Sequence, residues 1–405
     1  MAMVPDQVVI ISDFSTVQGG ASKLAVLQAA LLAARGIKVT FFSGDEGGAL
    51  PDGVASVALG GARLLEGKKL SAALKGLWNK DAQRALARWV VTNDTAKTIY
   101  HVHGYHQTLS PSVLGPLQSV RDRVVMHAHD YFLACPNGAF FDYGSATTCA
   151  RRPMSGAGIG RNCDKRSYAQ KLWRTSRQGL QNAARRRLCP DVTTVLIHEG
   201  MAQYLFRDGA DARIAVVPNP ATAPCTQPVD ASRNKDILYV GDIHHYKGVA
   251  LLARAGKQAG VRIRFVGKGQ DLDRLKRDYP DHLFDGWQDK AGLRRILSGA
   301  RVSVSPTLGP EPFGLAPTEA LLSGVPVVLS DSMLLAPQIV AHNMGQTFAA
   351  GDCDMLAGCL ARLESDDMLI KEMSQNAIRH ARQLSLDEDG WADALLTVYD
   401  DVLAA

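Results

Sequence analysis

The 405-residue chain reads as an α/β protein of two doubly wound halves, each a parallel sheet covered on both faces. Three observations carry that reading. Short β-branched runs alternate with amphipathic segments of helical length along the chain. The alternation pauses at a polar, proline-bearing stretch near Pro218–Pro228 and then starts again. The length exceeds what one core usually serves, so two domains are the natural expectation.

Taken in order, VVIIS (8–12) is the first strand and a helix runs from Ala21 to Ala34. Gly36 separates it from KVTFFSG (38–44). TIYHVHG (98–104), RVVMHAHD (123–130), VTTVLIHEG (192–200) and IAVVPNP (214–220) complete the first half. DILYVGD (236–242) and a helix from Gly248 open the second. VRIRFVGKG (261–269), HLFDGW (282–287), RVSVSPT (301–307) and VPVVLSD (325–331) follow. The closing segment, GWADALLTVYDDVLAA, is an amphipathic helix that packs either on its own domain or back on the first. The domains are therefore 1–217, with a basic helical insert over 150–190, then 218–385, with 386–405 as the closing helix. Ligands of such sheets sit at the carboxyl ends of strands. The unusual residues gather there: Gly19-Gly20, His103-Gly104, His127 to Asp130, Gly241 to Lys247, Gly267 to Gly269, and Glu311 onward.

Composition narrows the function. Apolar residues make up 46% and charged residues 21%, as in ordinary globular chains. A net charge of +5 is too small for a global polyanion binder, and no nucleic-acid module accompanies it. The N-terminus lacks a basic n-region with a long apolar run, and no segment reaches membrane-spanning length. The expectation is a cytoplasmic protein, with at most a peripheral contact on the inner face of the membrane. Cys135, Cys149, Cys163, Cys189, Cys225, Cys353 and Cys359 form no C-x2-C pair. They read as reduced structural thiols, and no metal site is predicted.

The most informative stretch is EPFGLAPTEALLSGVPVV, from Glu311. Pro312, Gly314 and Pro317 preclude one helix from Glu311 to Glu319. Pro317 suits a first helical turn, so the predicted helix is Pro317 to Ser323, stopped by Gly324. Glu311 then lies on a loop and Glu319 in the first turn. Free N–H groups of Phe313, Gly314 and Leu315 at a helix start suit a phosphate. Gly314 lets a ligand approach the backbone. Carboxylates suit sugar hydroxyls, so a ribose, a diphosphate and a second sugar would lie in a row. That describes a nucleotide-diphosphate sugar. The bland alternatives are that Glu319 complements the helix dipole, that Glu311 is a solvated loop acid, or that the two form a hydrolytic pair.

This segment resembles the E-x7-E motif of retaining GT-B glycosyltransferases of the family 4 type. Four further motifs stand in family order: Gly19-Gly20, HAHD (127–130) with Cys135-Pro136, VPNP (217–220), and VGDIHHYKG (240–248) followed by FVGKG (265–269). The resemblance implies a GT-B architecture, with two Rossmann-like domains facing each other across a cleft. It implies that Lys247 neutralises the donor diphosphate, that Gly314 and Leu315 hold phosphate oxygens beside Phe313, and that Glu319 takes the ribose. Glu311 would take hydroxyls of the transferred sugar. Gly19, Gly20, Gly241 and Gly267 would shape the donor site, and no cofactor beyond the donor is needed. His129 is the expected first-domain residue at the reacting centre, with Asp130 orienting it. One position departs from the pattern: Asp242 stands where the family usually has Arg, and Lys268 and Arg254 are the candidate substitutes.

The insert carries Arg151, Arg152, Arg161, Lys165, Arg166, Lys171, Arg174, Arg177 and Arg185 to Arg187, with Asp164 the one acid among them. KRSYAQKLWRTSRQGLQNAARRRL reads as one helix, with Tyr168, Leu172, Trp173, Leu180 and Leu188 as its apolar side. Lys171, Trp173, Arg174 and Arg185 to Arg187 would meet anionic lipid beside a polyprenyl-linked acceptor. The competing reading is a surface helix packed on the sheet with its arginines in water. The functional expectation is transfer of a sugar from a nucleotide-diphosphate donor to a polysaccharide or lipid-linked oligosaccharide in cell-surface polysaccharide synthesis. Its rival is a non-catalytic nucleotide-sugar-binding or scaffold protein, motivated by Asp242.

Overall fold

The computed structural model describes residues 4–61, 69–207 and 212–405. The first domain is built on strands β1 (Gln7–Ser12), β2 (Lys38–Ser43), β3 (Val54–Ala58), β4 (Thr98–Val102) and β5 (Val124–Ala128). A two-residue hairpin, β6 (Phe141–Asp142) and β7 (Thr147–Thr148), precedes β8 (Thr193–Leu196) and β9 (Arg213–Val216). The sheet order is β3-β2-β1-β4-β5-β8-β9, with every pair parallel. The second domain has β10 (Asp236–Val240), β11 (Ile263–Val266), β12 (Leu283–Gly286), β13 (Ala300–Ser305), β14 (Val327–Ser330) and β15 (Gly345–Phe348). Its order, β12-β11-β10-β13-β14-β15, is also parallel throughout. Both orders reverse beside their first strand, and a crevice opens there at the carboxyl ends.

Central strands such as β1, β4 and β5 are buried at every residue, as strands covered on both faces must be. The sequence pattern marks them for that reason. It does not mark β3 (VASVA), a largely exposed edge of small residues, nor β15 (GQTF), half of it glycine and glutamine.

Three of the contacts that join the domains fix their mutual placement. The helix Glu388–Ala404 puts Trp391, Leu395, Val398, Tyr399 and Val402 into the first domain's core, against Val8, Ile10, Phe41 and Ile99. Pro220 and Leu386 form a parallel bridge where the chain crosses out and back. Phe313, from the second domain, is buried in the other core cluster of the first, with Leu315 and Leu334 packed beside it.

The insert helix, Tyr168–Arg186, does not lie as the competing reading has it, with its apolar side packed inward and its arginines in water. Tyr168, Leu172 and Leu180 are 40%, 41% and 39% exposed, whereas Lys171 is 4% exposed. Thr175, Arg177, Gln178 and Gln181 are also buried. The reason lies in the irregular segment beneath, whose carbonyls have no ladder to join and need donors. Gln181 donates to Phe132 O, Gln178 and Arg185 donate to Leu133 O, and Arg177 donates to His106 O. Leu188 alone of the predicted apolar side is fully buried, and Trp173 is partly so.

Leu395, on the inward face of the crossing helix, is fully buried. Leu395→Ala is expected to cost about 2–5 kcal/mol, read as a lower urea midpoint for the first domain.

Candidate active site

Three cavities run in sequence through the cleft. One of about 350 Å³ lies in the first domain, lined by Gly19, Gly20, His103, His127, His129 and Asp130 among others. His129 and Asp130 also line a second, of about 210 Å³, whose far wall is Lys247 and Glu311. Those two in turn line a third, of about 380 Å³, with Gly241, Asp242, Gly314 and Leu315. The path therefore joins the glycine pair of one domain to the helix start of the other.

The second-domain side is set by the helix Leu315–Leu322. It begins two residues earlier than the proline suggests, because Gly314 at φ 83° serves as its N-cap. A Cβ at Gly314 would also meet Met333 at 2.7 Å. Glu319 therefore lies in the second turn rather than the first, and it is not among the residues lining the third cavity. Burial pushes its carboxyl above the usual range, opposed by Lys23 of the first domain and Lys290. No side chain caps the helix, so its first N–H groups are left for a ligand. Phe313, expected to contribute only its N–H, anchors the loop through its side chain in the first domain's core.

Lys247 and Glu311 were assigned to different parts of a donor, and the structure pairs them at 2.6 Å. Burial alone would lower the Lys247 ammonium; Glu311, joined by Asp242, more than offsets it. Gly241 and Gly267 serve each other: a Cβ on Gly267, at φ 147°, would meet the Gly241 carbonyl at 1.9 Å. They bring two strand ends together, and Gly269 approaches the Ile243 carbonyl in the same way.

On the first-domain side, Gly19 and Gly20 open the helix Gly20–Ala34, and a Cβ on either would meet nothing within 4 Å. Asp130 is not the orienter of His129. Its carboxylate accepts from Phe132 N at 2.8 Å, and His129 Nε2 instead meets His103 Nδ1 at 2.9 Å. The protein around Asp130 pushes its carboxyl up to about 6, although the residue opens onto the solvent-filled cleft. Burial pulls His129 down to about 4, and burial with mutual repulsion keeps His101, His103 and His127 well below the usual imidazole range. The four are neutral. Sequence reasoning missed Asp13, directly after β1, which accepts from the backbone N–H groups of Gln107, Thr108 and Leu109 and so holds the loop after β4. Its place at a strand end was the available signal.

Asp242 is exposed; of the two cations suggested beside it, Arg254 is placed elsewhere, while Lys268 follows the strand end whose loop meets this one, its carbonyl accepting from Ile243 N at 2.9 Å. Arg254 lies against Cys353 Sγ at 3.1 Å, and Lys268 is exposed on its own loop. Lys165 of the insert is the cation that reaches across, 4.7 Å over the Tyr246 ring, where Asp242 and Asp271 both act on it. Tyr246 also meets Tyr143 of the β6–β7 turn edge-on at 5.6 Å, and both line the middle cavity.

Of the six residues assigned to a membrane or acceptor, four are engaged internally. Lys171 donates to Cys163 Sγ, Trp173 to Ala73 O and Arg185 to Leu133 O, while Arg174 pairs with Asp164. Arg186 and Arg187 are exposed. All seven cysteines are free thiols, and no helix among the described residues is long and apolar enough to cross a membrane.

Residues 227–383 match the family described as glycosyl transferases group 1. The chain is 28% identical over 311 residues to a Mycobacterium tuberculosis (strain H37Rv) protein named glycogen synthase, covering 72% of this chain and 71% of that one. Its fold is similar to that of a sucrose-phosphate synthase from Thermosynechococcus elongatus, with a TM-score of 0.72 at 17% identity over 98% of this chain and 99% of that one. It is also similar to Anabaena HepE in complex with UDP, with a TM-score of 0.65 at 14% identity over 98% and 100%.

The neutral histidines give an acid sensitivity. An unfolded histidine titrates near 6.5, whereas His129 waits until about 4. Between those values the unfolded chain holds more protons, so stability falls as pH drops, by up to about 1.4 kcal/mol per pH unit for each histidine. The urea midpoint is expected to decline from pH 6.5 downward, with a shallower slope in His101→Asn.

Proposed function

We propose, for a chain that is a GT-B glycosyltransferase with a group 1 domain over residues 227–383, that it moves one sugar from a nucleotide-diphosphate donor, with retention, onto a glycan or polyprenyl-linked acceptor in cell-surface polysaccharide synthesis. The observation that carries this reading is the row of cavities that sets His129 opposite Lys247, Glu311 and an uncapped helix start. Similarity in fold to a protein solved with UDP supports the nucleotide donor.

On this reading the diphosphate lies between Lys247 and the N–H groups of Gly314 and Leu315. Both are preorganised positive ends, which stabilise the charge that grows on a departing phosphate. Glu311 turns from Lys247 to hydroxyls of the transferred sugar. His129, neutral in the working pH range, makes hydrogen bonds rather than carrying charge. The middle cavity is walled by Tyr143, Phe141 and Tyr246, which exclude water from the anomeric carbon. The acceptor enters from the first domain. The exposed side of the insert helix, with Tyr168, Leu172, Leu180, Arg186 and Arg187, rests on the cytoplasmic face of an anionic membrane.

Binding of UDP, GDP and ADP, measured by calorimetry, tests the donor site. Lys247→Ala is expected to weaken the preferred nucleotide by about ten- to a hundredfold, the usual worth of a charged hydrogen bond. Glu311→Ala is expected to abolish transfer without weakening nucleotide alone. Binding that ignores Lys247 would remove the donor assignment, and binding without turnover would favour a scaffold. The membrane contact has its own test. Arg186→Glu with Arg187→Glu should reduce sedimentation with phosphatidylglycerol vesicles at low salt, and unchanged sedimentation would leave the helix solvated.

A further inference from the structure

Four histidines stack where β4 and β5 end. His101 and His103 follow each other by period two on one strand and its continuation, and His127 and His129 do so on the next. Neighbouring rings lie 4.2–5.3 Å apart between centroids. Ligand nitrogens of His101, His103 and His127 lie within 4.8 Å of one another, the spacing of a metal site. The rings are close to parallel, however, at 18–29° for these three. Lone pairs lie in the ring planes, so they run side by side rather than converging on one ion. All nitrogens of these three rings except His127 Nε2, which is buried without a partner, are also engaged in hydrogen bonds, which makes the stack a relay.

A neutral imidazole has one donor and one acceptor, so one partner decides its whole ring. Gln28, 1% exposed on the helix Gly20–Ala34, touches both rows. Its carbonyl Oε1 is 2.6 Å from His103 Nε2, which must donate. His103 Nδ1 then accepts, and His129 Nε2 donates to it at 2.9 Å. His129 Nδ1 is left with a bare lone pair, and that atom is buried without a partner. In the other row the Gln28 amide nitrogen, at 3.0 Å, and Tyr399 Oη, at 2.6 Å, both face His101 Nδ1. His101 Nε2 then donates to His127 Nδ1 at 3.2 Å. Reversing the Gln28 amide would reverse both rows and place a proton on His129 Nδ1.

We propose that Gln28 is a positioning residue that sets, through His103, which nitrogen of His129 carries the proton, so that His129 meets the donor sugar as an acceptor at Nδ1. This rests on the reading above, in which His129 lies beside the transferred sugar. A sugar hydroxyl is the hydrogen-bond donor that the orphaned lone pair lacks.

The test uses full-length protein labelled with 15N-histidine, and two-bond 15N–1H correlations that distinguish the tautomers. His129→Gln identifies the His129 signals. Wild type is expected to show His129 protonated at Nε2. Gln28→Met, similar in volume but unable to accept, is expected to shift His129 toward Nδ1 protonation. It should also lower kcat by about ten- to a hundredfold with donor KM little changed. Gln28→Glu keeps an acceptor toward His103 and removes the donor toward His101. It is expected to leave His129 as it was and to invert only His101 and His127, which tests the idea even if the Met variant does not fold. A wild-type His129 protonated at Nδ1, an unchanged tautomer in folded Gln28→Met, or a changed His129 in Gln28→Glu would each overturn the proposal. Absence of turnover in wild type would instead remove the functional reading, since the tautomers are read without it.

Discussion

The architecture depends on how the chain passes between its two domains. It leaves the first at Val217 and returns after Leu386, and the two passages are joined by the bridge of Pro220 with Leu386, where Ala221 N donates to Leu386 O at 2.9 Å. Everything between belongs to the second domain, and the helix after lies on the first. Each crevice opens at the carboxyl end of its own sheet, so the two can share a ligand only if the domains keep this mutual placement. Phe313 adds an apolar tie beneath the cleft. The loop that carries the helix start is thus fastened to the domain it faces, which is why Glu311 and His129 line one cavity.

What was legible in the sequence was local. Gly314 and the prolines around it set backbone geometry within a few residues, so the helix start and its flanking acids could be read to within a turn. The alternation of buried strands was likewise written in runs of valine and isoleucine. The illegible parts depend on distant partners. Tyr399 and Gln28 are 371 residues apart and meet only because the last helix crosses domains. That Lys247 and Glu311 would hold each other could not be read from two motifs that each named a different ligand contact. The same holds for Lys165, which faces the second domain from within a run of like charges.

The insert shows why a helical pattern can mislead. Hydrophobic periodicity predicts the buried face when the surface beneath is apolar. Here the surface beneath is loop backbone, and the polar side of the helix meets it with donors to Phe132, Leu133 and His106. Hydrogen-bond need outweighed apolar area, because an unpaired buried carbonyl costs about 1–3 kcal/mol. Lys171 and Arg177 went inward with that face.

The pair of Lys247 with Glu311 also bears on how a turnover would end. If the proposed roles hold, a full donor gives each member of the pair a ligand group of its own: phosphate for the lysine, hydroxyls for the glutamate. After transfer the sugar is gone and the glutamate is left facing the lysine again. The pair then competes, from within the protein, for the same ammonium that holds the spent nucleotide. On the proposed reading, the carboxylate that steadies the sugar would also act as an internal eviction device, favouring intact donor over its own leaving group where both are present.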